Sequence, residues 1–325
     1  MPLPAILQGR LRLPVIAAPM FIVSGPELVI AQCEAGIVGS FPALNARPPA
    51  LLDEWLAQIR EALAAHDAAH PQAPSAPFAV NQIVHRSNDR LEQDLALCEK
   101  HRVPIVITSL GARPELNDAV HAWGGITFHD VINVRFAHKA LEKGADGLVA
   151  VAAGAGGHAG GLSPFALVQE IRAFFDGPIA LSGAIATGRA VRAAEVMGAD
   201  FAYIGSPFIA TTEARASEGY KRMIVESTAD DILYTPYFTG VPGNYLAPSI
   251  RAAGIDPATL ADKERQAMDF GASGADAKAW RDIWGAGQGI GVVDHVVPAA
   301  ARIARLAEEY DTARAMEGRV RLRPR

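Results

Sequence analysis

The sequence predicts an α/β fold, a (β/α)8 barrel, on three observations. Short apolar runs alternate with amphipathic stretches of helical length, the runs number eight, and they end at residue 206 of 325. An open doubly wound sheet is the alternative. The count of eight, with no gap in which strand order would reverse, favours closure.

The runs fall at residues 14–19, 37–41, 78–83, 105–109, 125–129, 147–151, 178–183 and 201–206. Runs such as 147–151 are apolar throughout, as expected of strands buried on both faces beneath covering helices. Helical pattern follows at 26–36, 48–66, 88–101, 133–144, 163–175 and 188–198. Residues 64–77, AAHDAAHPQAPSAP, read as a surface loop of small residues and proline. The regularity stops after the eighth run. From residue 213 the chain is more polar and passes through a turn-rich piece, YTPYFTGVPGNYLAPS, before the apolar glycine pattern returns in WRDIWGAGQGIGVVDHV. This predicts a barrel of residues 1–212 and 278–325, with 213–277 a mainly helical insertion capping its mouth; a surface excursion is the other reading. Tyr234, Tyr237 and Tyr245 are its candidate substrate contacts, or equally packing residues.

Half the residues are hydrophobic and 20% are charged, so disorder is excluded as a theme. A net charge of −5 with mixed signs gives no field for a polyanion, and no nucleic-acid partner is expected. The basic ending GRVRLRPR reads as a short solvated tail. Cys33 and Cys98 lie far apart without metal-ligand spacing, which predicts two reduced, buried thiols and no metal site. The N-terminus lacks a signal-peptide pattern, and no apolar stretch reaches membrane-spanning length. The expectation is a soluble, unprocessed, cytoplasmic protein with no membrane partner; a homodimer is left open.

In such a barrel the chemistry belongs to the C-terminal strand ends. Those ends carry Ala18, Pro19 and Met20; Asn81 and Gln82; Thr108 and Ser109; His129 and Asp130; Ser182, Gly183 and Ala184; and Gly205 and Ser206. The sixth run opens into AAGAGGHAGG, where Gly156 and Gly157 precede His158. Glycines let a flat ligand approach the main chain, and a neutral imidazole can take a proton near neutral pH. Alone, the loop is equally an ordinary turn with a carbonyl-bonded histidine. The loops after the seventh and eighth strands commonly hold phosphate in these barrels, and Ser182 and Ser206 offer hydroxyl donors there. His85, His129, His138 and His295 lack glycine-rich surroundings and are expected at the surface or behind the site.

Four ordered stretches, APM, GADGLVAVAAGAGGHAG, SGAIATGRAVRAAEVMGADFAYIGSPF and WGAGQGIG, together resemble the nitronate monooxygenase family, formerly 2-nitropropane dioxygenases. The resemblance implies a TIM barrel holding FMN, a capping insertion, and oxidation of alkyl nitronates by O2 to carbonyl compounds and nitrite. It implies that His158 is the catalytic histidine, taking the α-proton of a nitroalkane or orienting the nitronate. It also implies that Asn81 contacts the flavin and that Ser182, Gly183, Gly205 and Ser206 form the phosphate loops, with Ala184 and the glycines Gly156 and Gly157 beside them. The Pro19-Met20-Phe21 turn and the segment from Trp284 to Gly291, including Gln288, would supply the apolar slot for the ring. The chain departs from the family pattern in several places. It reads Ala153-Gly154-Ala155 where a glutamate is often found, Ala184 where SGGI has glycine, Asp130 where some relatives have lysine, and Asn244 and Tyr245 in a region where an arginine is expected. Two other functions stay open: an FMN-dependent NAD(P)H reductase of quinones or enoyl thioesters on the same scaffold, and an inert flavin-binding sensor.

Overall fold

In a computed structural model describing residues 4–262 and 283–316, every one of the eight runs is a strand. In chain order they are β1 (Val15–Ala17), β2 (Gly39–Pro42), β3 (Phe78–Ile83), β4 (Ile105–Ser109), β5 (Ile126–Val131) and β6 (Gly147–Val151). After β7 (Gly157–His158), which leaves the barrel, come β8 (Ile179–Ser182) and β9 (Phe201–Ile204). All barrel pairs are parallel, in the order β1-β9-β8-β6-β5-β4-β3-β2. The ring closes between β1 and β2, where Ile16 bridges Val38 and the Ala17 N–H donates to the Val38 carbonyl at 2.8 Å.

The period of two sorts each strand's side chains inward and outward. Ile16, Val38, Ala79, Ile105, Ile107, Phe128, Val149, Ala180 and Phe201 fill the interior, where the Phe128 and Phe201 rings meet edge-on at 6.2 Å. Gly147 makes room for this packing, since a Cβ there would lie 2.5 Å from the Phe128 ring. The alternate residues face the helices. Val80 and Val106 pack toward α2 (Leu51–Ala69) and α3 (Leu91–Lys100), while Leu148, Ala150 and Leu181 meet α5 (Val134–Glu142), α6 (Pro164–Arg172) and α7 (Gly188–Met197). The other two outer helices are α1 (Pro26–Glu34) and α4 (Pro114–Ala122). Asn133 and Thr187 cap α5 and α7 by accepting from the Phe136 and Ala190 amides, and Gly198 ends α7 in the left-handed region.

Beyond β9 lie α8 (Ser206–Ile209), α9 (Glu218–Glu226), β10 (Ile232–Thr235), β11 (Gly243–Leu246) and α10 (Ala247–Ala252). The region holds more than the helices the sequence suggested. β10 and β11 form an antiparallel hairpin, and β11 continues into β7, pairing Gly243 with His158. That second pairing joins segments more than eighty residues apart through only two residues of β7, so no local pattern announces it. The expected boundary at residues 277 and 278 lies outside the described residues.

The final helix, α11 (Ala299–Ala315), returns to the barrel and packs on α7. Gly188 permits the contact, because a Cβ there would stand 2.0 Å from the Leu306 carbonyl oxygen. Its N–H donates instead to Glu309, and Tyr310 donates to Glu195 at 2.7 Å. Both cysteines are buried and free, with burial pushing each thiol up to about 12. Among the described residues no helix is long and apolar enough to cross a membrane, and no side-chain cluster could hold a metal ion.

Candidate active site

The C-terminal strand ends open into a cavity of about 780 Å³, within the range of ligand pockets. Ala18, Pro19, Met20, Asn81, Gly156, Gly157, His158, Ser182, Gly205 and Ser206 all line it. Gly183, Ala184 and Gln288, expected at the cofactor, are not among the residues that line it. The Ala184 and Gln288 amides both donate to the Gly154 carbonyl, at 3.2 and 2.9 Å, tying the β8 loop to the returning chain. Tyr234 also lines the cavity and donates to the Ala159 carbonyl, whereas Tyr245 is buried against Phe238 and Tyr237 lies off the cavity wall.

β11 presents His158 to the cavity by holding the short β7 strand against it. The imidazole Nε2 lies 2.8 Å from Thr239 Oγ, and that hydroxyl donates to the Val241 carbonyl at 3.1 Å. Thr239 thereby orients the imidazole through its Nε2 edge. Burial pushes His158 down to about 4, which leaves it neutral at physiological pH.

The apolar turn at the end of β1 is staked by a residue the sequence did not single out. Asn45 donates to the Met20 and Ser24 carbonyls at 2.9 and 2.8 Å and accepts from the Ile22 N–H at 2.9 Å. These bonds hold Ile22, a β-branched residue, at a φ of 59°, in the left-handed region. No charge, glycine or spacing marks Asn45 in the sequence.

The wall formed by β3, β4 and β5 is polar. Asn81 donates to the Ile107 carbonyl at 3.0 Å and to Ser109 Oγ at 2.8 Å, and Ser109 donates to Asp130 Oδ2 at 2.5 Å. His129, expected at the surface or behind the site, lies on the cavity wall at 7% exposure. Thr108 Oγ lies 2.5 Å from its Nδ1, and burial followed by the nearby Lys143 charge pushes the imidazole down to about 4. Its position at a strand end was the available signal. Asp130 is pushed up to about 6 by burial, and its Oδ1 has no hydrogen-bond partner among the described residues.

The site thus combines a neutral imidazole, lining glycines, hydroxyls, an apolar turn and a polar wall at the end of a barrel. The chain is similar to known proteins over most of its length. The chain is 28% identical to a nitronate monooxygenase of Paraburkholderia phytofirmans, over 91% of this chain and 92% of that protein. Its fold is similar to FabK from Thermotoga maritima, with a TM-score of 0.76, 23% identity and 94% of each chain covered. It is also similar to a nitroalkane oxidase from Streptomyces ansochromogenes, with a TM-score of 0.75, 23% identity, and 95% and 99% of the two chains covered. Residues 6–309 match the nitronate monooxygenase family, so the chain, an oxidoreductase, belongs to that family.

Proposed function

We propose that the protein is an FMN-dependent nitronate monooxygenase, oxidising alkyl nitronates, and nitroalkanes after loss of a proton, with O2 to carbonyl compounds and nitrite. The observation that carries this reading is His158: a neutral imidazole held by Thr239 beside the lining glycines Gly156 and Gly157, in a cavity that also has an apolar turn and a polar wall.

The residues present fit FMN. A Cβ at Gly156 would stand 2.8 Å from the Gly287 amide, so glycine there lets the β6 loop pack on the returning chain, and Gly156, Gly157 and Gly205 offer bare backbone to the cavity. Ser206 Oγ accepts from the Gly287 amide at 2.8 Å, which leaves its own proton to donate; Ser182 adds a second hydroxyl. These two would hold the phosphate, Asn81 would meet polar ring edges, and Pro19 and Met20 would flank the ring. When bound, FMN supplies electron transfer between the nitronate and O2.

His158 takes the α-proton of a neutral nitroalkane, and Thr239 orients its ring through the Nε2 edge. Tyr234, Val241 and Pro242 line the cavity with it. The protein carrying its flavin, identified on denaturation as FMN and not FAD, tests the proposal. His158→Asn is expected to lower turnover of neutral nitroalkanes by about 10²-fold or more while largely sparing preformed nitronates. Equal loss on both substrates would reassign His158 to orientation. No loss on either, with strong NAD(P)H-driven quinone or enoyl-thioester reduction, would overturn the monooxygenase reading.

A further inference from the structure

Asp130 ends β5 on the wall of the same cavity as His158. The direction of its hydrogen bond is fixed by what stands behind it. Asn81 Nδ2 can only donate, so Ser109 Oγ accepts from it and spends its single proton on Asp130 Oδ2. Oδ2 is therefore an acceptor, and Oδ1, buried and without a partner among the described residues, is the atom left for whatever fills the cavity.

The surroundings decide which form of the carboxyl is present. β6 offers Val149 as the ladder partner, β4 offers Ser109, and β9 offers Tyr203, a buried phenol raised well above its ordinary range first by burial and then by the Asp130 charge. On β5 itself His129 is held neutral. Lys139 and Lys143 of the α5 side line the cavity, but Lys143 donates to the Ala112 carbonyl at 2.6 Å, and neither forms an ion pair with Asp130. A carboxyl out of water, with one hydrogen bond and no ion pair, keeps its proton to a higher pH than an exposed one, so its neutral form is present below about pH 6. With Oδ2 accepting, the proton of that form belongs on Oδ1.

We propose that Asp130 is a titrating, ligand-facing carboxyl backed by Ser109 and Asn81, whose protonated Oδ1–H donates to an acceptor of the bound flavin and so couples the cofactor's reduction to pH. This rests on the FMN reading above. The isoalloxazine ring carries carbonyl and imine acceptors, and reduction places more electron density on it. A donor at Oδ1 favours the reduced ring, and a carboxylate there opposes it. By linkage the reduced flavin must in turn hold the Asp130 proton more tightly. No bond to the flavin is made or broken in this role.

The test uses the flavin-loaded protein and reads the flavin midpoint potential and the oxidised-flavin absorbance against pH, not turnover. Wild type is expected to show an inflection near the titration of Asp130, at about pH 6. Asp130→Asn, nearly isosteric, should lose that inflection. Ser109→Ala should move it upward, because the Ser109 bond lowers the carboxyl's affinity for its proton. Superimposable curves for flavin-bearing wild type and Asp130→Asn overturn this proposal alone. A wild type that takes up no flavin overturns the cofactor reading, and this proposal with it.

Discussion

Asn45 carries no charge and belongs to no glycine-rich stretch, yet three hydrogen bonds from one amide shape the turn that bears Met20. Asn45→Ala is expected to destabilise the fold by about 1 to 3 kcal/mol, since each bond is worth roughly 1 kcal/mol net and Ile22 gains freedom once released. Denaturant midpoints measure this, and an unchanged midpoint would show that the turn holds itself. His158 was legible in the sequence because its glycine setting is local. Asn45 was not, because its partners lie more than twenty residues away. The pairing of Ser109 with Asp130 was hidden for the same reason, although both residues were visible singly as strand ends.

At the scale of elements, the eight barrel strands were legible because they are short, apolar and separated by helices with their own periodicity. The hairpin was not, because β10 and β11 are four residues each and flank a loop rich in proline and glycine that reads as turn. Its contact with β7 is close. A Cβ at Gly243 would stand 3.0 Å from the Gly157 carbonyl oxygen and 3.2 Å from the Tyr245 ring, so only glycine lies there without displacing a neighbour. Gly243→Val is expected to loosen the β7 ladder and cut nitroalkane turnover by about tenfold or more, because a small misplacement of a base is costly. Thermal unfolding should change little by comparison, since the barrel core lies elsewhere; a large loss of both together would mark the hairpin as part of the barrel's own stability.

Across the whole molecule, buried titratable groups set the acid limb of stability. His129 and His158 are each pushed from 6.5 down to about 4, so the unfolded chain binds their protons first and stability falls as pH drops through that window. Asp130, pushed from 3.8 up to about 6, acts in the opposite sense: its contribution is fully present below 3.8 and is lost as pH rises through 6. Two histidines outweigh one carboxyl, and net destabilisation is expected between pH 6.5 and 4. Asp130→Asn should steepen that loss and His158→Asn should flatten it, as read from urea midpoints across a pH series. A wild type equally stable at both ends of the window would show that these groups are wetter than their burial implies. The strand linking His158 to the hairpin has a consequence of another kind. Roof and imidazole share one tether: β11 pairs with β10 on one side and with the strand carrying His158 on the other, so a displacement of the hairpin would carry the imidazole with it.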